Sequence, residues 1–120
     1  MHWRYHEQDR DVLVIEADES LNSADGYRHV QQLEKLIADG IRLVLIDCSR
    51  LQFLNTNGIG LLLLLHKRMT DRQGEARLVN LRGLAADVIR TVRLDRVFQM
   101  YTDMEDARQA SSFVAPADPR

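Results

Sequence analysis

Thr56 stands between two asparagines and ahead of two glycines, in the run Asn55-Thr56-Asn57-Gly58-Ile59-Gly60. Side-chain oxygens at this spacing accept hydrogen bonds from the free backbone N–H groups that open a helix, so one reading is simply a helix cap. A hydroxyl in the same place can also carry a phosphate, because that group would meet unpaired N–H donors and the positive end of the helix dipole. A phosphate adds about −1.5 to −2 charges at neutral pH, which is enough to expel a docked partner by repulsion and desolvation while the fold survives. The residues themselves allow both readings.

Other chemistry-bearing residues lead less far. Gly58-Ile59-Gly60 lacks the third glycine and later acidic residue of a dinucleotide fingerprint and the lysine of a phosphate loop, so it reads as close packing. His2, His6, His29 and His66 share no metal-ligand spacing with one another or with Cys48, and His66 reads as a core histidine. Cys48 sits in an apolar run and has no second cysteine to pair with, which makes it a buried structural thiol and fits a reducing compartment. Asp47 reads as a turn-stabilising carboxylate. Nucleophilic catalysis at Cys48, Ser49 or Thr56 would need a positioned base, and no histidine lies nearby in the sequence. No catalytic residue, metal ligand or cofactor is therefore expected.

The elements that must hold these residues follow from periodicity. Trp3 to Glu7 and Val12 to Ile15 read as two antiparallel strands across a polar turn. Asn22-Ser23 can cap a helix whose apolar positions Tyr27, Val30, Leu33 and Ile37 keep helical spacing until Gly40 ends it. Ile41 to Asp47 is a nearly continuous apolar run, as a central strand buried on both faces requires. A second helix is expected from Gly58 to about Gln73, closed by Gly74, then a strand over Ala76 to Leu81. A third helix follows with Ala85, Val88, Ile89 and Val92 on its inner face. Val97 to Tyr101 reads as an edge strand, and Asp103 as the cap of a fourth helix with Asp106 completing a capping box.

This order predicts an α/β domain with a small mixed sheet of four to five strands and about four helices, packed mainly on one face. In the second helix, five consecutive leucines cannot all point inward on a 3.6-residue period. The spacing puts Ile59, Leu62, Leu63, His66 and Met69 on the inner side and Leu61, Leu64, Lys67, Arg68 and Asp71 on the outer side. Leu61 and Leu64 are thus expected to be exposed beside Thr56, as a docking patch for a protein or as a surface covered by neighbouring loops or a homodimer contact.

At 120 residues and 45% hydrophobic composition the chain suits one compact domain. Its 16 basic and 18 acidic residues are dispersed and give a net charge of −2, so neither a nucleic-acid face nor a polybasic membrane anchor is present. The first residues lack a signal peptide's apolar stretch, and Leu61 to Leu65 is far too short to span a bilayer, which predicts a cytoplasmic protein. The domain is expected over 1–114, with a disordered tail over 115–120.

The segment Asp47-Cys48-Ser49-Arg50-Leu51-Gln52-Phe53-Leu54-Asn55-Thr56-Asn57-Gly58-Ile59-Gly60-Leu61 resembles the signature of STAS domains, particularly those of the anti-sigma-factor antagonists. The similarity extends through Arg77-Leu78-Val79-Asn80-Leu81 and Val88 to Phe98. Thr56 falls on the family's phosphoacceptor position; the chain departs at Asn55, where aspartate is usual, and at Asn57, where serine is common. The resemblance implies a non-enzymatic binding switch that docks through Asn22, Asn55, Thr56, Asn57, Gly58, Leu61 and Leu64. Its partner would be an anti-sigma factor with serine/threonine kinase activity, with phosphorylation at Thr56 releasing it and a PP2C-type phosphatase resetting it. Lone STAS domains also resemble accessory subunits of bacterial ABC-type transport or lipid-trafficking complexes, which is the alternative role. A third, small-ligand or nucleotide reading would require a pocket near Asp47 and Gly58.

Overall fold

The computed structural model describes residues 2–6, 9–37 and 40–110, the side chain of Tyr27 excepted. Glu7, the Tyr27 side chain, the domain end at 114 and the tail over 115–120 therefore lie outside the described residues. Five strands, β1 (His2–Tyr5), β2 (Val12–Glu16), β3 (Leu43–Asp47), β4 (Glu75–Val79) and β5 (Gln99–Tyr101), form one sheet in the order β1-β2-β3-β4-β5. β1 runs antiparallel to β2, and every later pair is parallel. The parallel crossovers are made by the helices α1 (Gly26–Ile37), α2 (Thr56–Asp71) and α3 (Gly83–Thr91), with α4 (Met104–Gln109) at the end.

Alternation along the strands divides the core. Leu13, Ile15, Val44, Ile46, Ala76 and Leu78 face the layer made by α1, α2 and α3, where Leu33, Leu62, Leu65, Met69 and Ile89 are fully buried. Val12, Val14, Leu45 and Val79 face the opposite side and pack with Ala107 of α4. A sheet covered on both faces explains why its central strands read as continuous apolar runs. It also explains Arg77, which is 2% exposed in the middle of β4. Its Nη1 donates to the carbonyls of Ala107 at 2.6 Å and Ala110 at 3.1 Å, and Nε donates to Glu75 at 3.0 Å. The guanidinium thereby satisfies carbonyls that the end of α4 leaves free and ties that helix to the sheet.

Several element ends differ from the periodicity. Asn22 does not cap α1, because residues Glu19–Asn22 form a 3-10 helix capped by Asp18; Ser23 Oγ instead accepts from the Asp25 N–H at 3.1 Å. The cap bond at α4 runs from Glu105 N–H to Asp103, 2.8 Å, rather than engaging Asp106. α3 stops at Thr91, so Val92 lies past the helix and is 45% exposed. α2 ends in two reverse bonds, Gln73 N–H to Thr70 carbonyl and Gly74 N–H to Met69 carbonyl, with Gln73 as the positive-φ residue at 62°. Gly74 is required there for a different reason: a Cβ would stand 2.6 Å from the Arg42 carbonyl oxygen.

The inner face of α2 is rotated relative to the expectation. Gly58, Leu61, Leu62, Leu65 and Met69 are buried, Leu64 is half-buried, and Leu63 is 39% exposed. The reason is that α2 packs on α1 as well as on the sheet, so its buried arc turns toward α1. Leu61 fills the space over Gly26, where a Cβ would meet its Cδ2 at 3.1 Å.

Candidate functional site

The loop after β3 and the first turn of α2 are fastened to the 3-10 helix by side-chain amides. Asn22, 8% exposed, donates through Nδ2 to Glu19 Oε2 and to the Phe53 carbonyl, each at 2.9 Å. Its Oδ1 accepts from the Asn55 N–H at 3.0 Å. Its backbone carbonyl accepts from Asn55 Nδ2 at 3.0 Å and from Asn57 Nδ2 at 3.3 Å. Glu19 Oε1 accepts from the Gln52 N–H at 2.8 Å, so one carboxylate holds both sides of the junction. Asn55 is the N-cap of α2, its Oδ1 accepting from the Gly58 N–H at 3.0 Å.

Thr56 is consequently the first helical residue and not the cap. It is exposed, and its hydroxyl has no hydrogen-bond partner among the described residues. No acidic residue occupies the first turn of α2, so the positive end of the helix is uncompensated beside it. Gly58 is packed as the sequence suggests: a Cβ would stand 2.3 Å from Asn22 Oδ1 and 2.9 Å from Leu54 Cδ2. Gly60 is not, since a Cβ there meets nothing within 4 Å.

Between α1 and α2 lies a cleft of about 180 Å³ lined by Ser23, Ala24, Gly26, Thr56, Asn57, Gly60, Leu61 and Leu64. The structure thus joins Thr56, Asn57, Leu61 and Leu64 around one concavity, while Asn22, Asn55 and Gly58 form its support. Leu61 contributes as a buried wall rather than as an exposed knob. Phe53, 46% exposed in the loop before α2, and Glu19 were missed by the sequence reading. The signal for Glu19 is its place three residues before Asn22; its partner Gln52 lies 33 residues away, beyond any local pattern.

The surrounding ionisable groups are structural. The Ser20 hydroxyl holds the Asp18 carboxyl down to about 2, assisted by the Ser20 N–H, as befits the cap of the 3-10 helix. Burial, reinforced by the Asp47 charge, pushes the Cys48 thiol up to about 12. Asp47 Oδ1 accepts from the Ser49 N–H at 3.0 Å, the turn role its position suggests. His66 packs edge-on against Phe98 with ring centres 5.3 Å apart, and burial lowers its pKa. Among the described residues no group of three or more His, Cys, Asp or Glu could hold a metal ion. A larger open cleft of about 700 Å³, lined in part by Asp9, Asp11, Arg42, Arg77 and Arg108, contains neither Asp47 nor Gly58.

The family profile of the STAS domain matches residues 4–107. No curated protein matches the chain in sequence. Solved structures share its fold at low identity. The anti-sigma factor antagonist SpoIIAA in its unphosphorylated form has a TM-score of 0.74 at 18% identity, covering 92% of this chain and 100% of that one. Bacillus SpoIIAA in the phosphorylated form has a TM-score of 0.61 at 17% identity, covering 89% of this chain and 96% of that one. An anti-sigma factor antagonist from Mycobacterium paratuberculosis has a TM-score of 0.67 at 24% identity, covering 89% and 88%. With the profile spanning the sheet and its crossover helices, from β1 into α4, the chain belongs to the STAS domain family.

Proposed function

We propose that this protein is an anti-sigma factor antagonist, a non-enzymatic switch whose Thr56 surface docks on an anti-sigma factor with serine/threonine kinase activity and is released by phosphorylation. The observation that carries this reading is the contrast at the start of α2. Asn55 and Asn57 have their amides bonded to the Asn22 carbonyl, whereas the Thr56 hydroxyl between them is exposed without a partner among the described residues. A hydroxyl presented on a fixed turn suits a phosphoacceptor, and the adjoining cleft with Leu61 and Leu64 suits the apolar part of a docking interface. The existence of SpoIIAA, an antagonist of the same fold, in phosphorylated and unphosphorylated forms supports the same assignment.

In the proposed step the Thr56 oxygen attacks the γ-phosphorus of ATP held by the partner. A Thr56 O–P bond forms, the bond to the bridging oxygen of ADP breaks, and the hydroxyl proton passes to a base on the partner. The antagonist supplies the acceptor and no cofactor. The added charge disrupts the desolvated interface, and a PP2C-type phosphatase returns the threonine by hydrolysis. Action in the cytoplasm is part of the proposal; no helix among the described residues is long and apolar enough to cross a membrane.

Peptide mass spectrometry of the protein isolated from its native cells, with and without phosphatase treatment, tests the assignment. Phosphate on the peptide containing Thr56, removed by the phosphatase and missing in Thr56→Ala, is the expected result. A Thr56 peptide that is unmodified under every growth condition contradicts it.

A further inference from the structure

The open cleft of about 700 Å³ lies at the amino ends of β3 and β4, the end of the sheet away from Thr56, and has the size of a small-molecule pocket. Among the described residues, three guanidinium groups and three carboxylates line it. Two of each are committed to one another: Arg108 Nη1 donates to Asp9 at 2.6 Å, and Arg77 Nε to Glu75 at 3.0 Å. Arg42 and Asp11 are left over. Their backbones are fixed, because the Asp11 carbonyl accepts from the N–H groups of Arg42 at 2.8 Å and Leu43 at 3.2 Å, and the Arg42 carbonyl accepts from the Glu75 N–H at 2.9 Å. Their side chains, both exposed, form no ion pair with each other or with any other described residue.

Two further groups of the same wall are left unanswered or strained. Arg108 Nε is buried and has no acceptor among the described residues. Gln73 takes φ 62° at the end of α2, where glycine is the usual residue and a side chain is disfavoured. A strained backbone position kept by a hydrogen-bonding side chain, beside an unspent donor, points to a ligand. We propose that this cleft binds a free amino acid as its zwitterion, the ligand carboxylate lying against the Arg42 guanidinium and its ammonium against the Asp11 carboxylate. Gln73 and Thr70 then supply hydrogen bonds to the rest of the ligand. A simple anion would meet Asp11 and a simple cation would meet Arg42, so only a molecule carrying both charges answers both. The site uses none of the residues around Thr56 and is independent of the proposed switch.

NMR titration of the full chain with each of the twenty L-amino acids tests this, backbone amide shifts reporting where the probe sits. At least one amino acid is expected to shift the amides of Arg42, Gly74 and Glu75 saturably. Its affinity should fall at least about tenfold in Arg42→Ala and in Asp11→Asn, the loss of one charge-assisted hydrogen bond. Blocking the same amino acid as its N-acetyl derivative or as its carboxamide should cost a similar factor. Gln73→Gly should weaken binding while making the fold more resistant to urea, since glycine adopts the left-handed turn without strain; a purely structural Gln73 would leave affinity unchanged. The proposal is overturned if none of the twenty shifts these amides, if the blocked derivatives bind as tightly as the parent, or if inorganic phosphate or ethylamine binds there equally well.

Discussion

Gly58 and Gly60 lie two residues apart in α2 and differ in their surroundings. Gly58→Ala would drive a methyl group to 2.3 Å from Asn22 Oδ1, breaking the junction between the 3-10 helix and α2. Overpacking of this kind costs about 1–3 kcal/mol, which urea unfolding would register. Gly60→Ala places its methyl in open space and should stabilise the protein by about 0.5–1 kcal/mol through helix propensity. If partners seat in the neighbouring cleft, the same variant should bind them more weakly, a dissociation of stability from binding that calorimetry and a binding titration would expose together. The sequence shows two glycines after a helix cap and reads both as close packing. Only the first is, because the residue that crowds it, Asn22, sits far back in the chain. Cys48 was legible as an inert thiol; buried and pushed up to about 12, it should resist alkylation in native protein and react on unfolding.

At the scale of elements, the Thr56 turn is only as firm as the 3-10 helix beneath it. The Asp18 carboxyl caps that helix and is held to about 2, below its unfolded value, so it stabilises the fold above about pH 4. That contribution is lost as the pH falls from about 4 toward 2, where the carboxyl protonates in the folded state too. Asp18→Asn should flatten this part of the acid-stability curve measured by fluorescence or circular dichroism. On the opposite face, Arg77→Ala would strip the Ala107 and Ala110 carbonyls of this donor and take one partner from Glu75. The expected loss is about 3 kcal/mol, accompanied by faster amide exchange in α4. The order of elements along the chain follows from periodicity because alternation and the 3.6-residue repeat are local. The outward face of α2 does not, because five leucines satisfy more than one helical face and the choice among them is made by α1 through Gly26 and Leu61. The partners of Arg77 at the end of α4, the carbonyls of Ala107 and Ala110, likewise lie 30 and 33 residues away, beyond any local pattern.

For the whole molecule, the sheet separates two kinds of surface. The carboxyl end of β3 leads into the turn that carries Thr56, and that of β2 into the 3-10 helix beneath it, while α4 and its arginine contacts cover the far face. Docking at Thr56 would therefore load α2 and its neighbour α1 and leave the far face untouched, so the proposed phosphorylation would change binding without changing the fold. The family was readable from the segment between Asp47 and Leu61, and the profile match over residues 4–107 agrees with it. The identity of a partner is not written in one chain, since it depends on a surface in another. The most direct test of the switch is a pull-down from native lysate with wild type, Thr56→Ala and Thr56→Glu, the captured proteins identified by mass spectrometry. A kinase-fold anti-sigma factor held by wild type and Thr56→Ala but lost with Thr56→Glu is the predicted result. Equal capture of one set of partners by all three, above all subunits of a transport complex, would contradict it.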